Sequence, residues 1–304
     1  MIMKHITVLL NEAIEYLDIK PNGIYVDGTL GGAGHSELIL SKLTGGKLIA
    51  FDQDEYAITV ANKKLEAYQN KIIIKDNFAN IKRRLNEIGI EKIDGVLLDL
   101  GMSSFQIDDE KRGFSYLADT NLDMRMNQKQ ELSAHTIVNT YTKDELAKIF
   151  FKYGEEENAF KIANRIIDNR PLNTTKELVD ICDKVNYNRK GHSAKKVFQA
   201  LRIAVNDEMG VLERFLDSII DLMNDEGRIV IITFHSLEDR IVKHFFKENS
   251  EIKVPKNLPL INIPKPKLSL VTKKPIYPSN EEMETNSRSK SAKLRVAKKN
   301  DAIN

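Results

Sequence analysis

Residues 24–36 read Ile24-Tyr-Val-Asp-Gly-Thr-Leu-Gly-Gly-Ala-Gly-His-Ser36, and the fold follows from them. The stretch opens apolar and β-branched, as a buried strand does. It then becomes glycine-dense at Gly28, Gly31, Gly32 and Gly34. The residues beyond, Ser36-Glu-Leu-Ile-Leu-Ser-Lys-Leu43, repeat apolar side chains at helical spacing. Strand, glycine turn and helix bring backbone close to a ligand at the carboxyl end of a first strand. A dinucleotide site would read G-x-G-x-x-G, whereas here the order is Gly-Thr-Leu-Gly-Gly-Ala-Gly with Asp27 at the strand end. A carboxylate there repels a pyrophosphate and suits an ammonium group or a hydroxyl. S-adenosylmethionine carries both and has no phosphate. A tight structural turn in some other α/β fold is the plain alternative.

The pattern repeats along the chain. Lys47-Leu-Ile-Ala-Phe51 is a second strand ending at Asp52-Gln-Asp54. An acid at that place, some way past the glycines, is where α/β nucleotide folds grip ribose hydroxyls, and Asp52 comes first after the apolar run. Asp54 suits the N-cap of the next helix better. Lys71-Ile-Ile-Ile-Lys75 is a third strand leading to Asp76 and Phe78, an acid and a ring that can hold adenine by edge and face. Asp94-Gly-Val-Leu-Leu-Asp-Leu100 is a fourth, with Asp99 near its carboxyl end and Gly101-Met-Ser-Ser104 beyond. Strand after strand ending in a carboxylate beside a loop places the ligand along that edge of a doubly wound sheet.

From residue 107 to 195 no strand is legible. Thr142-Lys-Asp-Glu145 and Thr174-Thr-Lys-Glu177 are capping boxes opening helices, and residues 157–169 read as another helix. Ser193 to Asn224 is helical, with a break expected near Gly210. The sheet resumes at Gly227-Arg-Ile-Val-Ile-Ile-Thr-Phe234, and Ser236-Leu-Glu-Asp239 caps a helix after it. Six of the eight prolines lie between Pro255 and Pro278, which excludes helix and leaves room for an edge strand near Leu268–Val271. The expected organisation is a discontinuous α/β domain, residues 1–106 and 200–285, a helical insertion at 107–199, and a basic flexible tail at 286–304.

Composition sets bounds. The apolar share of 41% and charged share of 30% are globular values over 304 residues. The single cysteine, Cys182, excludes an internal disulfide and fits a reducing compartment. Without a signal-peptide pattern or an apolar run near the ~20 residues of a membrane helix, a cytoplasmic protein is expected. The net charge of +2 divides into +8 over residues 253–304 and −6 over the rest. A basic end on an acidic body points to a polyanionic partner.

The motifs together are recognisable. His5-Ile-Thr-Val-Leu-Leu, Asp27-Gly-Thr-Leu-Gly-Gly-Ala-Gly-His-Ser36, Leu98-Asp-Leu-Gly-Met-Ser-Ser104, Gly113-Phe-Ser, Leu122-Asp-Met-Arg-Met126, Gln199-Ala-Leu-Arg-Ile-Ala-Val-Asn-Asp-Glu208, Thr233-Phe-His-Ser-Leu-Glu-Asp-Arg240 and Ser291-Ala-Lys-Leu-Arg295 resemble the MraW (RsmH) family of ribosomal RNA small-subunit methyltransferases. The resemblance implies a class I S-adenosylmethionine-dependent methyltransferase fold, Rossmann-like, with an inserted all-helical domain. It implies methylation of the exocyclic N4 amine of one cytidine in the decoding region of 16S ribosomal RNA, within the small ribosomal subunit. Family cofactor contacts carry over to Gly32, Ala33, Gly34, His35, Asp52, Phe78, Asp99 and Gln106.

Methyl transfer from a sulfonium needs no metal and no membrane. The cytosine amine is a poor nucleophile because its lone pair is delocalised, so an acceptor on its N–H groups helps. Asp99 is the first candidate and Ser103 the second; Asp99 serving only the methionine ammonium is the competing role. RNA contacts are expected from Arg189, Lys195, Lys196, Arg202 and Asn206, with Arg112, Arg125 and Lys190 further candidates. A nicotinamide-dependent oxidoreductase and a non-catalytic RNA-binding ribosome-assembly factor remain as alternatives. The oligomeric state, a homodimer included, is not legible.

Overall fold

The computed structural model describes residues 6–188, 190–252 and 265–301. Arg189 lies outside them. The chain divides into two compact units, Met1–Gly101 with Gly210–Asn304, and Met102–Met209. The inserted unit therefore begins and ends several residues outside the 107–199 expected from sequence.

In chain order the first unit opens with α1 (Leu10–Leu17), β1 (Ile24–Asp27), α2 (Gly34–Lys42), β2 (Lys47–Asp52), α3 (Glu55–Lys64), β3 (Lys71–Lys75), α4 (Ile81–Glu87) and β4 (Ile93–Asp99). The second unit holds α5 (Ser104–Asp108), α6 (Ala134–Thr140), α7 (Lys143–Gly154), α8 (Ala159–Asp168), α9 (Thr175–Val185) and α10 (Lys195–Asn206). Helix α11 (Glu208–Leu222) follows, then β5 (Met223–Thr233), α12 (Ser236–Ser250), β6 (Leu268–Leu270), α13 (Asn280–Thr285) and β7 (Lys293–Lys299). Among the described residues no helix is long and apolar enough to cross a membrane.

The sheet order is β3-β2-β1-β4-β5-β7-β6. Strands β1 to β5 are mutually parallel, and β7 runs antiparallel to both β5 and β6. The reversal between β1 and β4 opens the crevice at the carboxyl edge where α/β folds take ligands. Alternation along the strands sends Val26, Ile49, Phe51, Val96, Leu98, Ile229 and Ile231 into one core, and Tyr25, Leu48, Ala50, Leu97, Val230 and Ile232 into the other. Both faces are buried, which is why these strands read as continuous apolar runs. The second unit has its own core, with Phe150, Ile162, Leu178, Cys182 and Leu201 fully or nearly buried.

Several expectations need correction. The tail expected to be flexible supplies β7, with Leu294, Val296 and Ala297 buried between β5 and β6. Its Lys-Leu-Arg-Val-Ala alternation is a strand signal that the high charge concealed. The helical break falls at Asp207, held left-handed at φ 47, and Gly210 lies inside α11. The cap of α12 is His235, whose Nδ1 accepts from the Glu238 N–H at 3.4 Å, with Ser236 the first helical residue. The boxes at Thr142 and Thr174 form as expected.

Candidate active site

The glycine loop is built by its own side chains. Asp27, 1% exposed at the end of β1, accepts from the Thr29 N–H at 3.0 Å and the Ser36 hydroxyl at 2.7 Å. Burial raises its pKa against those two bonds. Both carboxylate oxygens thus clasp the loop. Thr29 in turn accepts from the Asp99 N–H through Oγ1 at 2.7 Å, tying the loop to the β4 exit.

Asp52, at the end of β2, holds the same loop from the other side. Its Oδ2 accepts from Gly31 N–H at 2.9 Å and its Oδ1 from Asp54 N–H at 2.8 Å. Burial pushes its pKa up to about 6, while these hydrogen bonds pull against the rise. Each oxygen keeps a second acceptor direction, so a ribose diol can still bind. Asp54 caps α3, its carboxylate accepting from Tyr56 N–H at 3.0 Å, as its position suggested.

Ala33 and Gly34 open α2. Ala33 is buried and left-handed at φ 57, which turns the chain into the helix. A Cβ on Gly34 would stand 1.8 Å from Thr7 Oγ1 and 2.9 Å from Thr7 Cβ. The segment before α1 therefore lies directly against the loop, and only glycine fits. Leu9 in that segment donates its N–H to Glu282 Oε1 on α13 at 2.9 Å. Gly32 is half-buried, and its carbonyl accepts from Lys64 Nζ at 3.4 Å.

Asp99 closes the site. Its Oδ2 lies 3.7 Å from His35 Nδ1, and its Oδ1 is buried with no hydrogen-bond partner among the described residues. Burial, then the negative charges of Asp27, Glu238 and Glu282, raise its pKa well above the usual carboxylate range. Gly101 follows at φ 113, a conformation open to glycine alone, with Phe234 packed where a side chain would point. An orphaned carboxylate oxygen at the exit of β4, beside a glycine loop, fits a cationic ligand group.

Phe78 is half-buried and meets the Phe215 ring edge-on at 5.6 Å. Asp76, offered by the sequence to an adenine edge, is engaged by protein donors. Its Oδ2 pairs with Arg83 at 3.0 Å and Arg84 at 3.1 Å, and its Oδ1 accepts from Asn77 and Asn80.

In the second unit, Ser103 and Gln106 form a capping box for α5. Ser103 Oγ accepts from Gln106 N–H at 3.3 Å, and Gln106 Oε1 accepts from Ser103 N–H at 3.2 Å. The Ser-x-x-Gln spacing carries that signal in the sequence. Asn206 is 8% exposed; it accepts from Met126 N–H and donates to the Met124 and Arg202 carbonyls, each at 2.8 Å. Arg202 forks onto Glu208 at 2.7 and 2.8 Å. These two hold the unit together rather than reaching outward. Arg112 is buried and donates to the Arg125 and Met126 carbonyls, and Arg125 forks onto Asp123. Lys196 donates to the Glu155 carbonyl, while Lys195 and Lys190 stand exposed. Sequence reasoning quoted Thr7, Thr29 and Ser36 within motifs without giving them a role, and it missed Glu282, which lies in no motif.

A parallel sheet reversed at its last strands, a glycine loop after β1 and carboxylates on β2 and β4 define a class I S-adenosylmethionine-dependent methyltransferase fold. The sequence pattern of the MraW methylase family matches residues 2–300, and the chain belongs to that family. It is 61% identical over 297 residues to "Ribosomal RNA small subunit methyltransferase H 1" of Acholeplasma laidlawii, covering 98% of this chain and 99% of that one. It is 53% identical over 307 residues to "Ribosomal RNA small subunit methyltransferase H" of Finegoldia magna, covering 97% and 98%.

Proposed function

We propose that this chain transfers a methyl group from S-adenosylmethionine to the exocyclic N4 amine of a cytidine in the decoding region of 16S ribosomal RNA, in the cytoplasm. The observation that carries the reading is Asp99: a half-buried carboxylate whose Oδ1 is buried and orphaned, at the β4 exit beside the glycine loop. The names of the two relatives, covered almost end to end, support the small-subunit substrate.

The cofactor supplies an electrophilic methyl on a positive sulfur. The chain supplies position. Asp52 offers acceptor directions to ribose hydroxyls, and the ring of Phe78 offers a face to adenine. The Gly32–His35 loop lets backbone approach the ligand. Asp99, with its Oδ1 orphaned, is the acceptor for an ammonium or for the target amine in this reading. Its raised pKa suits the first role, because a cation at the site restores the carboxylate that burial and like charge disfavour. The target base must leave its stack to reach the site, which single-stranded loops make cheaper. Of the described RNA candidates in the second unit, Lys190 and Lys195, the latter at the start of α10, are exposed and free to meet phosphate.

Tritiated methyl transfer tests the reading directly. Small subunits purified from a strain lacking the enzyme should accept label at one cytidine N4. Binding to those subunits without any transfer would instead support a non-catalytic assembly factor. Calorimetric binding of a dinucleotide in place of S-adenosylhomocysteine would favour an oxidoreductase.

A further inference from the structure

Among the described residues, strand β6 ends the sheet, and β7 alone pairs with it. The stretch Lys265–Asn280 contains Lys265, Lys267, Lys273 and Lys274 and no acidic residue. All four lysines are exposed. Cations on the neighbouring strand are handled differently. Lys293 and Arg295 meet Asp239 at 3.3 and 2.6 Å, Lys298 meets Glu226 at 2.6 Å, and Lys299 lies 3.8 Å from Asp225. Among the described residues, no ion pair engages the four lysines of the β6 stretch. Tyr277, 58% exposed, and Leu270, 39% exposed, stand among them.

Like charges crowded into ten residues repel unless an anion comes near. Lysines on a bare strand edge also deter other strands from pairing there, and Lys267 is placed to do that. Lys273 and Lys274 are not. They follow the strand, past the point where the Val271 and Thr272 N–H groups both turn onto the Val296 carbonyl. Guarding the edge needs no charge at that place, whereas a polyanion running along the rim would meet all four.

We propose that residues 265–277 form a second contact surface for RNA, binding its phosphate backbone, with Tyr277 offering its ring to an unstacked base. The proposal rests on the ribosomal RNA reading above. In sheet order the surface is separated from the β1 and β4 ends by β5 and β7. Contacts of this kind set affinity and register without reading sequence, leaving selection to the site.

The test combines Lys265→Gln, Lys267→Gln, Lys273→Gln and Lys274→Gln in the full chain. Affinity for a small-subunit ribosomal RNA fragment carrying the decoding region is measured across a range of KCl. At ~0.7 per phosphate contact on single strands, the slope of log affinity against log salt should fall by about 3, and affinity near 0.1 M salt by about 10²–10³-fold. Affinity for S-adenosylhomocysteine and the melting temperature should be those of the parent protein. Tyr277→Leu should weaken RNA binding by about tenfold with the slope unchanged. An unchanged slope in the quadruple variant, with cofactor binding intact, overturns the proposal. So does a variant that self-associates in the ultracentrifuge while its RNA affinity stands, since that is the edge-guarding outcome. A parent protein that binds S-adenosylhomocysteine but neither RNA nor subunits would sink the ribosomal reading itself.

Discussion

Asp99 sets the behaviour of the site at the scale of one residue. Its pKa is raised by burial and by Asp27, Glu238 and Glu282, so the native state holds this proton more tightly than the unfolded chain does. The stability contribution is full below the unfolded carboxylate pKa and is lost as pH rises through the folded one. Asp99→Asn should therefore raise the melting temperature of the cofactor-free protein at pH 7–8, by about 2–4 °C for each kcal/mol recovered, and the gain should vanish in acid. Thermal scans of both proteins from acid to neutral pH check this. Ligand binding should run the other way. S-adenosylhomocysteine, with its ammonium, should bind more tightly as pH rises and release protons, and in Asp99→Asn this dependence should flatten. Calorimetry in buffers of different ionisation enthalpy reads the proton count. If Asp99 serves only the ammonium, the variant loses affinity but keeps its turnover once saturated; loss of saturated turnover assigns it to the target amine. Asp52 and Asp99 were legible in the sequence because a carboxylate closing an apolar strand is a local pattern. The engagement of Asp27 with Ser36 was not, since it requires knowing where the helix turns back.

Elements explain why neighbours of those carboxylates matter. The segment before α1 presses Thr7 onto Gly34, and Glu282 on α13 pins Leu9 behind it. Gly34→Ala must push that segment aside. A displacement near 1 Å at such a loop should lower cofactor affinity by at least about tenfold. Pairing it with Thr7→Gly, which clears the clash, should restore most of the loss, and titration calorimetry of the three proteins decides. Asn206 makes a similar point in the second unit. The sequence placed it four residues from Arg202 on one helical face and offered both to RNA. Helical spacing gives the face but not what packs on it, and the loop around Met124–Met126 covers that face. Asn206→Ala leaves a buried N–H and buried carbonyls without their partner, costing about 2–4 kcal/mol. Denaturant unfolding should register that cost. An unchanged midpoint with weakened RNA binding would return Asn206 to the interface.

At the scale of the whole molecule, the least legible part of the sequence completes the sheet. Lys293-Leu-Arg-Val-Ala-Lys-Lys299 looks like a solvated tail because its charges belong to pairs formed only across the fold, with Asp239 on α12 and Glu226 on β5. Its apolar half, Leu294 and Val296, is buried, and Leu268 of β6 packs into the opposite core. Burying three such side chains is worth about 1.5–3 kcal/mol each, a sum comparable with the ~5–15 kcal/mol that holds a domain folded. Removing residues 287–304 should consequently do more than weaken RNA binding. It strips β5 of its antiparallel neighbour, leaves β6 nothing to pair with, and exposes an unpaired central edge. The truncated protein should be insoluble or lack a cooperative thermal transition. Leu294→Ala grades the same effect, at a cost of about 2–5 kcal/mol in denaturant unfolding. A truncated chain that melts cooperatively at the parent temperature would mean that β7 is an ornament on the sheet, and that the flexible tail expected from composition was the better description.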